Sequence, residues 1–418
     1  MSDKCIKEDI KVEQIDGSVT AAKGFSAAGV AAGIKYTGRK DMAMIFTKEP
    51  AVAAGKFTSN VVKAAPVKFD MDIVANSPCV HAVVVNSGIA NAATGQPGMD
   101  ICKKSAKAAA EALSIPEDSV LVGSTGVIGE QLPEDRITAG IKALAQSLSD
   151  TRAAAADAER AIMTTDTVPK EVAVQVLIGG KTVTIGGMSK GSGMIHPNMC
   201  TMLAYICTDC NITKEMLQKA ADIDIPDTFN MITVDGDTST NDTYLLLANG
   251  LAENPVIDSE GDDFDTFLAA LHHVDEYLAR NMAKDGEGAT ALFEVAVTAA
   301  DTKENAKKLA RSVASSSLCK AAIYGHDSNF GRFLCALGYS GADFDPEKVD
   351  ISYSSAKGEI KVLENGLKCA YSEDEATAIL SEDEIRVNIC MNEGTSEAVA
   401  WGCDLSYDYV KINADYRS

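Results

Sequence analysis

Apolar and polar residues along the chain follow two alternating patterns, one typical of buried strands and the other of amphipathic helices. Continuous apolar runs at 81–88 and 243–250 predict strands whose two faces are both covered. Apolar positions that recur every three or four residues predict a helix over 99–114 and the longest helix over 262–285. This alternation predicts an α/β or α+β fold with long sheets and flanking helices.

The remaining elements are predicted by the same two periods. The stretch 119–129 is expected to be a strand followed by a glycine-rich turn, and further strands are expected at 201–209 and 289–300. Helices are expected at 133–147, 151–163, 214–223 and 302–315. A hairpin over 171–187 is predicted to turn at Gly179, Gly180 and Lys181. From about residue 350 onward, β-like runs dominate. No long linker, repeat or low-complexity block divides these elements.

Composition and charge exclude several classes of protein. The 418 residues are 46% hydrophobic and 23% charged, so a sizeable core is available. A formal net charge of −22 disfavours nucleic acids and anionic membranes as partners. The first residues are charged, and no run of about 18 apolar residues occurs, so neither a secretory signal nor a membrane span is expected. The eleven cysteines are expected to be reduced thiols of a cytoplasmic protein.

The sequence contains partial matches to two cofactor motifs, a phosphate-binding loop and a zinc site, and both matches are incomplete. The glycine-rich stretches 186–193 and 33–40 lack the Gly-Lys-Ser/Thr order of a phosphate-binding loop, so nucleotide binding through them is not expected. Cys207 and Cys210 form a CxxC without the second ligand pair that zinc requires. We interpret them as two thiols at a strand end, and we expect no metal.

Three further features leave alternatives open. The segment 235–242 is dense in carboxylates and hydroxyls, and is either a tight hydrogen-bonded turn or a wall of an active site. Thr125 and Gly126 follow a strand, where backbone N–H groups can face a ligand as in an oxyanion hole, or can form an ordinary turn. His196 precedes a proline, and a structural role is favoured over that of a base.

The Cys200–Thr201 bond lies directly after a stretch rich in glycine, lysine and proline. A threonine hydroxyl is a weak nucleophile unless a base accepts its proton. An N-terminal threonine carries its own base, because the pKa of an α-amine is about 8. To create that terminus, the Thr201 hydroxyl would attack the carbonyl of Cys200 and water would hydrolyse the resulting ester. The segment therefore raises the hypothesis of self-cleavage at this bond.

The same segment resembles the cleavage site of the ornithine acetyltransferases, also called bifunctional glutamate N-acetyltransferases. The resemblance extends over essentially the whole chain. The matching stretches, in family order, are VNSGIANAATG (85–95), GSTGVIG (123–129), MTTDTVPK (163–170), KGSGMIHPNMCTMLAYICTD (190–209), TVDGDTSTND (233–242), GEGAT (286–290), GHDSNFGR (325–332) and CDLSYDYVKINADYRS (403–418).

The resemblance implies a stacked-sheet α/β sandwich and a precursor that splits into an α chain, 1–200, and a β chain, 201–418. These chains would form one intertwined body and associate as α2β2. The implied reaction moves acetyl from N-acetylornithine to glutamate through an acetyl-threonine, in arginine biosynthesis in the cytoplasm. No cofactor is implied, although acetyl-coenzyme A is a possible second donor. The alternative is a self-cleaving peptidase or amidohydrolase of related fold, in which water accepts the acyl group. A third hypothesis is a scaffold protein that does not cleave itself.

The resemblance also assigns residues, position by position. Thr201 matches the nucleophile, Thr125 and Gly126 match the oxyanion hole, and the substrate contacts are Thr164, Lys190, Thr201, Glu287, Asn413 and Ser418. Three positions depart from the family pattern: Cys200 stands where a small residue is usual, Ala291 where lysine is common, and Ser418 where threonine is frequent. Because Ser418 keeps the hydroxyl, we expect that change to be tolerated.

Overall fold

The computed structural model describes residues 10–196 and 202–415. Its strands are β1 (Glu13–Ile15), β2 (Phe25–Val30), β3 (Met42–Phe57), β4 (Val80–Asn86), β5 (Val120–Ser124), β6 (Lys170–Ile178), β7 (Lys181–Lys190), β8 (Leu203–Thr208), β9 (Ile232–Thr233), β10 (Thr243–Ala248), β11 (Leu292–Ala300), β12 (Asp350–Ser355), β13 (Gly358–Glu364), β14 (Leu367–Lys368), β15 (Glu384–Cys390) and β16 (Ser396–Cys403). Its α-helices are α1 (Ala65–Asn76), α2 (Gly95–Leu113), α3 (Glu134–Ser147), α4 (Arg152–Ile162), α5 (Lys214–Asp224), α6 (Asp262–Lys284), α7 (Lys303–Ser315), α8 (Ser317–Tyr324), α9 (Phe330–Gly338), α10 (Glu373–Leu380) and α11 (Tyr407–Ala414).

The strands form two mixed sheets. The large sheet has the order β1-β6-β7-β8-β10-β3-β4-β5, with β2 paired to β3, and the small sheet has the order β14-β13-β12-β15-β11-β16-β9. The pairs β8–β10 and β4–β5 are parallel, and the other pairs of the large sheet are antiparallel. The 16-residue β3 links the two halves of the large sheet, because its first part pairs with β2 and β4 and its last part with β10.

Helix α6 connects the two sheets through one hydrophobic core. It packs against β6 and β7 of the large sheet and against β16 and β9 of the small sheet. Its buried side chains include Phe264, Phe267, Val274 and Met282, and they belong to a core cluster with residues of both sheets. A helix that contacts apolar surface on more than one side must be apolar on more than one face, which explains its composition.

Small residues bring helix α4 close to the large sheet. Four of its alanines, including Ala155 and Ala158, are buried, and the helix packs against β2 and β3. The fit depends on Gly29 in β2, because a Cβ there would lie 2.0 Å from the carbonyl oxygen of Asp157. The Thr151 hydroxyl caps the helix by accepting a hydrogen bond from the backbone N–H of Ala154 at 3.3 Å.

The predicted α/β class is confirmed, as are the hairpin and the central strands and helices. The turn has two residues, Gly179 and Gly180, with positive φ of 55° and 77° as a turn of the favoured type requires. Lys181, which was also predicted to turn, pairs with Ile178 and begins β7. The prediction of mostly β structure after residue 350 was incomplete, because α10 and α11 also occur there. The strand and glycine-rich turn predicted within 119–129 are confirmed: β5 ends at Ser124, and Gly126 in the turn has a φ of 126°.

In the described part of the chain, no helix is long and apolar enough to cross a membrane. The cysteines in that part are free thiols, and Cys5 and Cys200 lie outside it.

Candidate active site

One cavity of about 180 Å³ opens where the ends of β5 and β7 meet helix α11 and the loop before β11. Six predicted site residues, far apart in sequence, line it together: Thr125, Gly126, Thr164, Lys190, Glu287 and Asn413. The other two, Thr201 and Ser418, lie outside the described residues, as does the Cys200–Thr201 bond. The individual roles assigned to these residues stay predictions.

The turn after β5 presents two hydrogen-bond donors to the cavity. The backbone N–H of Thr125 is used, since it donates to the carbonyl of Asn86 at 3.0 Å. The Thr125 hydroxyl and the Gly126 N–H have no partner among the described residues. Only glycine fits at position 126, because a Cβ would lie 2.3 Å from the carbonyl carbon of Gly88. The turn can therefore supply one hydroxyl and one N–H, instead of two backbone N–H groups.

Lys190 supplies a positive charge at the end of β7. Its side chain is 5% exposed, and Nζ donates to the Thr164 hydroxyl at 2.9 Å. In the antiparallel β7–β8 pair, Lys190 stands opposite Leu203. Met202, which lies between Thr201 and Leu203 in the sequence, donates its N–H to the Asp242 carboxylate at 3.1 Å. The chain that follows Thr201 is thus anchored beside the lysine.

Glu287 supplies a negative charge to the same cavity. Its carboxylate accepts a hydrogen bond of 2.8 Å from Nδ2 of Asn413 in α11, and its backbone N–H donates to Ser192 at 2.8 Å. Gly193 makes room for it, since a Cβ there would lie 2.4 Å from the carboxylate carbon. A buried ammonium and a buried carboxylate therefore face one space, which suits a small molecule that carries both charges.

The segment 235–242 is both a hydrogen-bonded turn and a wall of the cavity. The Asp235 carboxylate accepts N–H bonds from Met194 and Ile195 at 2.6 and 2.8 Å. Asn241 lines the cavity and donates to the carbonyls of Ala90 and Ser124 at 2.6 and 2.8 Å. The sequence showed the polar density of this segment, but which of its residues face the cavity depends on these distant contacts.

His196 lies close to the site without lining the cavity. Its Nδ1 is 3.1 Å from the Thr233 hydroxyl, and burial together with the nearby Arg311 lowers its pKa. The favoured structural interpretation fits these contacts. The predicted thiol pair lies at the end of β8: Cys207 and Cys210 are buried, and burial raises both pKa values.

Sequence reasoning missed a buried ion network behind Lys190. The Asp166 carboxylate lies 3.6 Å from Lys190 Nζ and 2.9 Å from Lys170 Nζ. Lys170 also contacts Asp285 at 2.6 Å. Burial by itself would raise the pKa of Asp166, but the two ammonium groups hold it below its ordinary value. The only sequence signal was the cluster of polar residues at 163–170.

These features define an α/β enzyme with a site for a small molecule of mixed charge. The sequence profile of the ArgJ family matches residues 26–418. The arginine biosynthesis bifunctional protein ArgJ of Caldanaerobacter subterraneus subsp. tengcongensis is 50% identical over 407 residues, which cover 97% of this chain and 100% of that protein. The ArgJ protein of Thermotoga neapolitana is 49% identical over 397 residues, covering 95% and 99%. The chain belongs to the ArgJ family, and the predicted family and acyltransferase class are confirmed.

Solved structures also match. The crystal structure of the Bacillus halodurans ArgJ protein is 47% identical, with a TM-score of 0.44, and the match covers 47% of this chain and all of that one. The structure of Mycobacterium tuberculosis ornithine acetyltransferase complexed with ornithine is 38% identical, with a TM-score of 0.42, and the match covers 46% of this chain and all of that one.

Proposed function

We propose that this acyltransferase moves acetyl from N-acetylornithine to glutamate and so serves arginine biosynthesis. The single observation that carries the proposal is the placement of Lys190 and Glu287 around one cavity, together with two hydrogen-bond donors that have no partner among residues 10–196 and 202–415. N-acetylornithine bears a carboxylate and an ammonium, and each finds its counter-charge there. The relatives of about 50% identity, which are named for arginine biosynthesis, support the same reaction.

The first half-reaction forms an acetyl-enzyme. The Thr201 hydroxyl attacks the acetyl carbonyl of N-acetylornithine, and the Thr201 α-amine accepts its proton. The negative charge that develops on the carbonyl oxygen is stabilised by the Thr125 hydroxyl and the Gly126 N–H. Each such donor contributes about 3 kcal/mol to transition-state stabilisation. The C–N bond then breaks, and the ornithine amine leaves with the proton.

The second half-reaction returns the enzyme to its starting state. The neutral amine of glutamate attacks the ester carbonyl and forms the new C–N bond. The C–O bond to Thr201 breaks, and the Thr201 oxygen takes up, through its own α-amine, the proton that the glutamate amine loses. Lys190 with Thr164 receives a substrate carboxylate in both halves, while Glu287 with Asn413 receives the ornithine ammonium. Ser418 completes the substrate contacts. Acetyl-coenzyme A can acylate the same threonine, because a thioester needs only the nucleophile and the oxyanion donors.

The nucleophile is made by self-cleavage of the Cys200–Thr201 bond. The resulting chains, 1–200 and 201–418, stay together because β7 and β8, one from each chain, are adjacent in the large sheet. In the cytoplasm, two such pairs associate as α2β2.

The intact mass of the purified protein under denaturing conditions, compared with that of Thr201→Ala, tests the cleavage. We expect fragments of residues 1–200 and 201–418 from the parent and one uncut chain from the variant. An uncut, inactive parent would remove the proposed base and overturn the mechanism.

Product analysis tests the transfer. With N-acetylornithine and glutamate, the parent is expected to release ornithine and N-acetylglutamate in equal amounts, whereas Thr201→Ala releases neither. Free acetate without N-acetylglutamate would identify the amidohydrolase alternative instead. Replacing N-acetylornithine by acetyl-coenzyme A in the same assay tests the second donor.

A further inference from the structure

The ion network behind Lys190 is almost completely removed from water. The side chains of Asp166 and Lys170 are 0% exposed, and those of Lys190 and Asp285 are 5% exposed. Taking four charged groups out of water carries a large cost, which only close pairing offsets. Well-packed apolar residues in place of a buried ion pair are often as stable, so stability by itself is a weak explanation of this network. Its position next to the cavity offers another explanation.

Asp166 joins three parts of the cavity wall. One carboxylate oxygen accepts the N–H of Gly191 at 2.7 Å and contacts Lys170 at 2.9 Å. The other accepts the N–H of Thr164 at 3.0 Å and lies 3.6 Å from Lys190. Asp166 does not itself line the cavity. It therefore fixes the lysine, the partner threonine of that lysine and the start of the following loop, without contacting the substrate.

Lys170 offsets the charge that Asp166 would otherwise place beside the substrate carboxylate. A lone aspartate 3.6 Å from Lys190 would compete with the substrate for the ammonium. Lys170 is the closer counter-charge of Asp166, because its Nζ lies 2.9 Å from that carboxylate and Lys190 Nζ lies 3.6 Å from it. Burial by itself would lower the pKa of Lys170, but Asp166 and Asp285 keep it above its ordinary value. Lys190 is thus held in place and still attracts an anion.

We propose that Asp166, with Lys170 as its counter-charge, is a positioning residue that sets the preference of the site for substrates with an α-carboxylate. The inference rests on the proposed function, in which Lys190 receives that carboxylate. It assigns the specificity to the network as a whole: Lys190 alone, without Asp166 behind it, would bind the carboxylate poorly.

The test compares N-acetylornithine with N-acetylputrescine, which has the same chain and ammonium but no carboxylate. In Asp166→Asn, the amide NH2 faces ammonium and N–H donors, so Lys190 and Thr164 lose their fixed positions. We expect the ratio of kcat/KM for the two substrates to fall at least about tenfold, mainly through a higher KM for N-acetylornithine. Turnover of N-acetylputrescine should change little.

Two further variants separate positioning from folding. Asp209 is another buried aspartate that accepts two backbone N–H bonds, from Lys23 at 3.1 Å and Thr184 at 2.8 Å, away from the cavity. Asp209→Asn should lower the melting temperature without changing the substrate ratio. The double variant Asp166→Asn/Lys170→Met also removes the Lys170 ammonium, whose remaining ion partner in the single variant is Asp285 at 2.6 Å. Because Asp166 is absent from both variants, the double variant should keep the low substrate ratio.

An unchanged ratio in a folded Asp166 variant would overturn the proposal, and so would a lower KM for N-acetylornithine, which would mean that Asp166 competes for Lys190. If neither Asp166 variant folds, the network belongs to folding and the proposal fails. If the parent transfers acetyl from neither compound, the proposed function fails. In that case, calorimetry compares the affinity for ornithine with that for putrescine in the parent and the Asp166 variants. It measures the effect of the network on carboxylate binding without any acetyl transfer.

Discussion

Nδ2 of Asn413 donates a hydrogen bond of 2.8 Å to the Glu287 carboxylate, across 126 residues of sequence. This contact ties the exposed helix α11, none of whose residues is buried, to the cavity. The helix is held at its start by Ser406, which donates to the carbonyl of Gly288 at 2.5 Å. A segment near the end of the chain thereby orients the carboxylate proposed to bind the substrate ammonium.

Asn413→Ala is expected to raise the KM for N-acetylornithine about fivefold and to leave kcat within about twofold. The lost hydrogen bond to a charged group is worth about 1 kcal/mol at this partly exposed position. Steady-state kinetics measures the effect. Val410→Ala, at a 64% exposed position of the same helix, is the control and should behave like the parent. Equal effects of the two changes would mean that only the helix, and not the Asn413 contact, matters.

Gly126→Ala is expected to lower kcat for acetyl transfer by about a hundredfold or more. A methyl group at this position meets the Gly88 backbone, so the turn must move and the N–H leaves its place in the cavity. Gly129→Ala is the matched control, because Gly129 also has a positive φ, 92°, but its Cβ would meet nothing within 4 Å. It should lose about 1 kcal/mol of stability and keep its kcat. A similar loss of kcat in both variants would argue against the oxyanion role.

Asp242→Ala is expected to slow cleavage at Cys200–Thr201 about tenfold or more. The buried Asp242 accepts the N–H of Met202, so its loss frees the residue next to the proposed nucleophile. Asp242→Asn retains an acceptor oxygen and should cleave nearly as the parent does. The measurement is the fraction of intact chain against time, by denaturing mass spectrometry. Asp237→Ala, an exposed change in the same loop, is the control. Unimpaired cleavage in Asp242→Ala would contradict the anchoring role.

Asp275→Asn is expected to stabilise the protein increasingly as the pH rises above about 4, the ordinary aspartate range. Burial, reinforced by the nearby Asp224, raises the pKa of Asp275, whose carboxyl accepts the Tyr244 hydroxyl at 2.8 Å. The folded state therefore holds a proton that the unfolded chain releases. The stability that this group contributes is complete below the unfolded pKa and is lost as the pH rises toward the folded pKa.

Urea midpoints of Asp275→Asn and the parent at pH 5, 7 and 9 measure this difference. The advantage of the variant should grow from pH 5 to pH 9. A hydrogen bond to Asp224 at 2.6 Å raises the pKa of His272 although burial opposes it, so this group also contributes stability that is lost as the pH rises. It is present in both proteins and shares Asp224 with Asp275, so the comparison reports these interacting groups together. A constant difference across the pH range would contradict the raised pKa of Asp275.

The sequence by itself determined the turns, strands and helices that are encoded by a few neighbouring residues. Two glycines set the β6–β7 turn, because only residues that accept positive φ close so short a loop. The strand β10 and the helix α6 were visible from apolar periodicity, since burial on a sheet or between sheets selects those positions directly. By resemblance, the motifs also indicated six residues that the fold gathers around one cavity.

Tertiary structure decided what depends on distant partners. The Thr125 N–H donates to the Asn86 carbonyl because β4 and β5 pair in one particular register. No local sequence pattern encodes that register. Strand β3 joins the two halves of the large sheet by pairing with β10, some 200 residues away in sequence. Asp166 is indistinguishable in sequence from other polar loop residues, and only the fold buries it between Lys170 and Lys190. Hydrophobic burial and backbone turns are local choices. Strand register and the pairing of buried charges are fixed only when the whole core closes, because each depends on contacts that distant segments supply.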